Sequence, residues 1–200
     1  MSKNILILNG SPKRIGNTTK LVEWFVEGAL SNGGKVEINR VASLNFKSNG
    51  CLSCRRCQSN KAYECVLDDD VRKVLKKMIK ADTIVFATPL YFYGPSAQLK
   101  LIMDRMFSLY KWDNSTNTFE SPMKGKTMLL LLSAYEDVGL DIVEKSFKLI
   151  ADYSDMKFRS LLVPNAKEST NVNRIKGIHK RTVDFGKKSA ASKRADIAGC

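Results

Sequence analysis

Histidine is nearly missing from this chain: one residue, His179, among 200. Catalysis by a serine or cysteine nucleophile with an imidazole base therefore has a single candidate base. It stands in a basic stretch, far in sequence from the glycine, aromatic and cysteine loops, and reads as a surface residue. Long apolar runs are missing at the N-terminus, where Ile5, Leu6, Ile7 and Leu8 give way at once to Asn9, Gly10 and Pro12. That run is too short for a signal segment or a membrane span, so no membrane partner and a cytoplasmic location are expected. Neither dinucleotide fingerprint nor Walker A loop is present. Five residues separate Gly10 from Gly16, and Asn17 stands where a triphosphate-binding lysine would be. There is no internal repeat and no low-complexity tract. Acids are also scarce, 20 against 33 Lys and Arg, for a net charge of +13. The basic surplus is spread along the chain and thickens only past Asn165, with no aromatic interleaving there beyond Phe185. Charge in that form reads as a solvated helix and tail that helps attract anionic cofactors, not as a nucleic-acid interface.

What is present suits one α/β domain: 44% hydrophobic residues, 8% aromatic, in 200 residues. Five strand-like runs, 4–9, 35–41, 83–88, 126–134 and 158–163, alternate with helical patterns. The central runs are almost continuous in Ile, Leu and Val, as in strands buried on both faces of a parallel sheet. Helices are expected over 17–31, stopped by Gly33-Gly34, and from the acids Asp68, Asp69 and Asp70 to about Ala81. A third opens at Pro95-Ser96 with Leu99, Ile102, Met103 and Met106 on one face. A fourth covers 140–152, and a basic fifth 174–187. Strict alternation predicts a three-layer, doubly wound sandwich with a five-stranded parallel sheet of order 2-1-3-4-5. One domain, 1–188, with a Cys-rich loop at 51–65, is followed by residues 189–200, which read as a flexible tail.

In such a sheet ligands sit beyond the carboxyl ends of the strands, where the order reverses. The loop after the first strand carries Ser11, Lys13, Arg14, Asn17, Thr18 and Thr19 directly into a helix. Hydroxyls and helix-start N–H groups suit a single phosphate, as in FMN, better than a pyrophosphate or a triphosphate; an ordinary N-capped turn with no ligand is the alternative. The loop after the third strand, Pro89-Leu90-Tyr91-Phe92-Tyr93 before Gly94-Pro95, presents three consecutive aromatics between stiffening prolines. A flat ring stacked there accounts for the exposure; core packing of one or two of the rings is the alternative. Ser133 and Tyr135 supply hydroxyls at the third edge of the same crevice.

Four of the five cysteines fall within fifteen residues, as Cys51-x2-Cys54-x2-Cys57-x7-Cys65. A disulfide framework does not suit a cytoplasmic protein, which leaves metal or redox chemistry. Three cysteines at successive x2 spacings are the short-loop pattern of a [4Fe–4S] cluster, with Cys65 as the fourth corner. Zinc and free or redox-active thiols remain open. Arg55 and Arg56 would offset part of a cluster's negative charge. Cys200 reads as an incidental thiol.

Ser11-Pro12 through Gly16-Asn17-Thr18, Pro89-Leu90-Tyr91-Phe92 and the segment from Leu99-Lys100 to Asp104-Arg105 resemble the NADPH-dependent FMN reductase family of the flavodoxin-like fold. The cysteine spacing resembles its iron–sulfur flavoprotein branch, at the upper limit of that branch's last spacer. The resemblance covers about residues 1–163. It implies that Ser11, Lys13, Asn17 and Thr18 hold the FMN phosphate, that residues 89–92 border the isoalloxazine, and that Lys100, Asp104 and Arg105 have structural or dimer-contact roles. It further implies a flavin-dependent oxidoreductase, a homodimer or homotetramer, passing electrons between a donor such as ferredoxin and a small-molecule acceptor through FMN and a [4Fe–4S] cluster. Two other functions are carried forward: an NAD(P)H-dependent FMN or quinone reductase without a cluster, and a non-enzymatic basic docking module.

Overall fold

Runs of Ile, Leu and Val become strands here because helices cover both faces of the sheet. In the computed structural model, which describes residues 2–191, the chain runs β1 (Asn4–Asn9), α1 (Asn17–Ser31), β2 (Lys35–Arg40), α2 (Asp70–Lys80), β3 (Thr83–Pro89) and α3 (Ala97–Arg105). It continues through β4 (Lys111–Asp113), β5 (Thr118–Glu120), β6 (Thr127–Ser133), α4 (Leu140–Tyr153), β7 (Lys157–Val163) and α5 (Ile178–Ala190). The main sheet has the order β2-β1-β3-β6-β7, with every neighbouring pair parallel. Counting only these five strands, the order is 2-1-3-4-5, the flavodoxin-like arrangement.

Alternation along each strand builds two cores. Ile5, Ile7, Val85, Ala87, Leu129 and Leu131 point to the face covered by α1 and α5, where Phe25 and Ile178 meet them. Leu6, Leu8, Ile84, Phe86, Met128 and Leu130 point to the face covered by α2, α3 and α4, against Leu75, Leu99 and Phe147. The helix pair α1/α5 approaches so closely that only glycine fits at two crossings. A Cβ on Gly28 would lie 1.9 Å from the Val183 carbonyl oxygen, and one on Gly186 2.1 Å from that of Phe25.

Two features depart from the sequence expectation. The basic helix begins at Ile178, not Arg174, because Gly177 takes φ 76° and breaks it from a short 3-10 turn at Asn171–Arg174. It runs to Ala190, so Ser189 and Ala190, expected in the tail, are buried helical residues. Ala191 caps the helix, and residues 192–200, the remainder of that expected tail with Cys200, lie outside the described residues. The second departure is the antiparallel hairpin β4-β5, which pairs Trp112 with Phe119. No helix among the described residues is long and apolar enough to cross a membrane.

Candidate functional site

The order reverses between β1 and β3, and the loops leaving β1, β3 and β6 meet at that point in one cleft. Ser11, Lys13, Asn17, Thr18, Pro89, Leu90, Tyr91, Ser133 and Tyr135 line it, with residues 166–169 closing the side. Gly16 precedes α1 with extended backbone and no side-chain cap. The first helical bond runs from Lys20 N–H to the Gly16 carbonyl. Among the described residues the N–H groups of residues 14–19 have no hydrogen-bond partner, and those of 17–19 belong to the first turn, the positive end, of a 15-residue helix.

Side chains fold this loop; few of them reach into it. Ser11 Oγ accepts from Lys13 N–H and donates to the Lys13 carbonyl, both at 3.3 Å. Thr19 Oγ1 donates to that same carbonyl. Thr18 Oγ1 and Ser133 Oγ bond each other at 2.8 Å, both buried, joining α1 to the end of β6. Asn17 is fully engaged. Its Nδ2 donates to the carbonyls of Ala166 and Glu168 at 2.8 and 2.7 Å, and its Oδ1 accepts from Val172 N–H at 3.0 Å. The Asn17 side chain thus ties the loop after β1 to residues 166–172. Lys13 and Lys167 are exposed cations that line the cleft, and Arg14 is exposed next to Lys13 in the same loop.

The aromatic loop is a strained turn. Tyr91 and Gly94 exchange two backbone hydrogen bonds of 2.9 Å, while Phe92 and Tyr93 take φ 44° and 59°. Such a turn favours Asn and Gly, so two bulky residues there are outliers. The result leaves Phe92 fully exposed and Tyr91, Tyr93 and Tyr135 about half exposed. The turn is held by Leu90 N–H on the Ser133 carbonyl, and the Tyr93 ring lies over Gly139. From Thr88 Oγ1, which accepts from Ser96 N–H at 2.9 Å, the chain enters α3 with Ser96 as N-cap.

At its other end α3 reaches the cysteines. Cys51, Cys54, Cys57 and Cys65 line one cavity of about 410 Å³ with Asp104, Arg105 and Ser108. Ser53 and Arg55 take φ 54° and 53°, which curls residues 51–57 around it. Cys51 and Cys54 are exposed, Cys65 half-buried and Cys57 buried. Burial pushes the Cys57 thiol up, with Gln58 and Lys111 partly opposing. Lys111, on β4, clamps the loop by donating to the carbonyls of Cys57 and Asn60, while Gln58 donates to the Tyr110 carbonyl. Among the described residues no three His, Cys, Asp or Glu side chains already stand as a chelate. The donor set is nevertheless that of a soft metal or cluster: four thiols on one cavity, with the buried Arg105 Nε–H beside them lacking a partner. His179 is exposed and pairs with Glu27 on the far face, as expected of a surface residue. Lys100 pairs with Asp104 on the exposed side of α3.

Sequence reasoning missed the 166–172 wall and the Lys111 clamp. The first is joined to Asn17 across 149 to 155 residues and the second to Cys57 across 54, so no local pattern signals either.

The profile of the NADPH-dependent FMN reductase family matches residues 3–166. An iron–sulfur flavoprotein of Methanocaldococcus jannaschii is 38% identical over 101 residues, half of each chain. One of Methanosarcina thermophila is 34% identical over 98 residues, 49% of each. The chain spans about half the length of these curated relatives. The NAD(P)H:quinone oxidoreductase of Methanothermobacter marburgensis superposes with a TM-score of 0.75 over 96% of this chain and 99% of that one, at 18% identity, a likeness of fold. Since the matched profile runs from β1 through β7 and takes in the N-terminus of α1, the aromatic turn and the cysteine loop, the chain belongs to the NADPH-dependent FMN reductase family.

Proposed function

We propose that this chain is a flavin-dependent oxidoreductase of the iron–sulfur flavoprotein kind. It holds FMN at the carboxyl edge of the sheet and a [4Fe–4S] cluster at Cys51, Cys54, Cys57 and Cys65. The observation that carries the reading is the placement of α3: it starts at the aromatic turn beside the phosphate-ready loop and ends on a cavity lined by four thiols. Nine residues of helix span about 14 Å, so both candidate centres sit on one rigid element. When bound, the flavin supplies two-electron chemistry and the cluster one-electron chemistry, so no side-chain acid or base is required for the redox step.

The chain's own residues bind and orient. The N–H groups of residues 14–19, with Lys13, Arg14 and the hydroxyls of Ser11, Thr18 and Thr19 shaping the loop, receive the phosphate. Pro89, Leu90, Tyr91 and Phe92 border the ring, and Ser133 and Tyr135 close its other edge. Electrons enter from a one-electron protein donor or from NAD(P)H and leave to a small-molecule acceptor, in a homodimer or homotetramer.

A second reading, an NAD(P)H-dependent flavin or quinone reductase without a cluster, draws on the lack of a ready-made chelate among the described thiols. Anaerobic titration of the purified protein, followed in the visible spectrum, separates the two. The first reading expects the flavin and a broad iron–sulfur absorption both to bleach with a reduced low-potential protein donor. Bleaching of flavin alone by NADH or NADPH, with no iron–sulfur absorption, establishes the second.

A further inference from the structure

Arg105, at the end of α3, is 1% exposed and wholly surrounded by protein. Its Nη1 and Nη2 donate to the two oxygens of Asp69 at 2.6 and 2.9 Å, and Nη2 reaches the Leu67 carbonyl at 3.4 Å. Asp69 is itself saturated: it caps α2 by accepting from Arg72 N–H and also accepts from Lys47 N–H. Burial alone would raise its carboxyl, and these bonds hold it below the ordinary range instead. The fork to Asp69 explains two of the three guanidinium nitrogens. Nε–H is left buried with no partner. A bare buried donor forgoes the hydrogen bond it had in water, and apolar residues would fill the same space at least as well as the ion pair.

The cavity supplies the missing acceptor. Arg105 and Cys65 line it together. Two of the other three cysteines already have a donor, and Cys54, like Cys65, has none among the described residues. Cys51 Sγ accepts from Ser53 N–H at 3.4 Å, and Cys57 Sγ from Gln58 Nε2 at 3.7 Å. Cys65 has no such local donor among the described residues.

We propose that Arg105 is a positioning residue for Cys65: with both Nη groups fixed by Asp69, its Nε–H donates to the Cys65 sulfur and raises the reduction potential of the iron–sulfur centre. The effect on potential rests on the cluster proposed above; the hydrogen bond does not. A donor to a ligating sulfur favours the more negatively charged, reduced state, which gives the sign. Because Asp69 caps α2 and Arg105 ends α3, the same fork makes the sulfur's position depend on how these two helices pack.

Arg105→Lys keeps the charge beside Asp69 and removes the second donor direction. Anaerobic redox titration followed by electron paramagnetic resonance is expected to find the cluster retained and its midpoint moved to more negative potential. A retained cluster at unchanged potential overturns the proposal. Nitrogen-15 NMR of the arginine Nε–H groups in the oxidised protein decides independently, whether or not that variant folds. Cys65→Ala should shift the Arg105 signal and abolish its protection from exchange, while Cys51→Ala, which also removes a thiol, should leave it in place. Equal responses to the two variants overturn the hydrogen bond. Wild-type protein purified anaerobically without iron overturns the cluster reading and the assigned role in potential, and the NMR comparison then judges the hydrogen bond alone.

Discussion

Replacing Asn17 with alanine removes three hydrogen bonds that join the first turn of α1 to residues 166–172, of 2.8, 2.7 and 3.0 Å. A typical intramolecular hydrogen bond contributes about 0.5–1.5 kcal/mol net. The Glu168 carbonyl is open to water and recovers part of its loss, so the total is about 2 kcal/mol. For a chain of this size that lowers the melting temperature by about 4–8 °C, measured by circular dichroism on flavin-free protein. The N–H groups of residues 14–19 survive the substitution, but the loop that presents them is no longer tethered. If the whole tether energy is linked to phosphate binding, FMN affinity falls by about 30-fold. Fluorescence titration with FMN and with riboflavin, which lacks the phosphate, isolates the effect. FMN binding should weaken by that order while riboflavin binding changes little. Equal losses for the two ligands would refute the assignment of this loop to the phosphate, and an unchanged melting temperature would refute the tether.

Three further outcomes follow from the geometry. Phe92→Asn places a residue tolerant of left-handed backbone where Phe92 holds φ 44°, so stability should rise by about 1 kcal/mol in urea unfolding while binding of the flavin ring weakens. Arg72 and Lys76 hold the Glu64 carboxyl down from 4.5 to about 2, so its contribution is complete above pH 4.5 and lost as pH falls toward 2. Acid titration of Glu64→Gln should show a flatter loss of stability across that window, and identical acid limbs in variant and wild type would contradict the assignment. Gly28→Ala drives a methyl to 1.9 Å from the Val183 carbonyl oxygen, so α1 and α5 must separate, at about 3 kcal/mol or more by denaturant unfolding.

The sheet was readable because its signal is local. Val, Ile and Leu runs buried on both faces fix five strands, and the helices between them fix the crossovers and so the order. The cap at Asp69 and the helix opening at Ser96 were likewise local patterns. The hairpin was not, since β4 and β5 have three residues each, too few for any periodicity, and Trp112 and Phe119 show their purpose only when they stack near Tyr153. At the site, residue types singled out the loops that meet in the cleft, while the bonds made by individual atoms needed the structure. The resemblance implies that Asn17 holds the phosphate; its side-chain amide also donates to carbonyls some 150 residues away, which no local pattern signals. The resemblance implies a structural or dimer-contact role for Arg105; its fork to Asp69 is structural, and the idle Nε–H on the cavity it shares with Cys65 becomes visible only once Asp69, Leu67 and the cysteine loop are placed around it.

The most direct test of the account is anaerobic purification followed by flavin, iron and acid-labile sulfide quantification on one sample. About one FMN with four irons and four sulfides per chain is the predicted result, and conversion of Cys51, Cys54, Cys57 or Cys65 to serine should lower the iron without removing the flavin. FMN without iron contradicts the cluster, and a colourless protein with neither contradicts the flavin site as well.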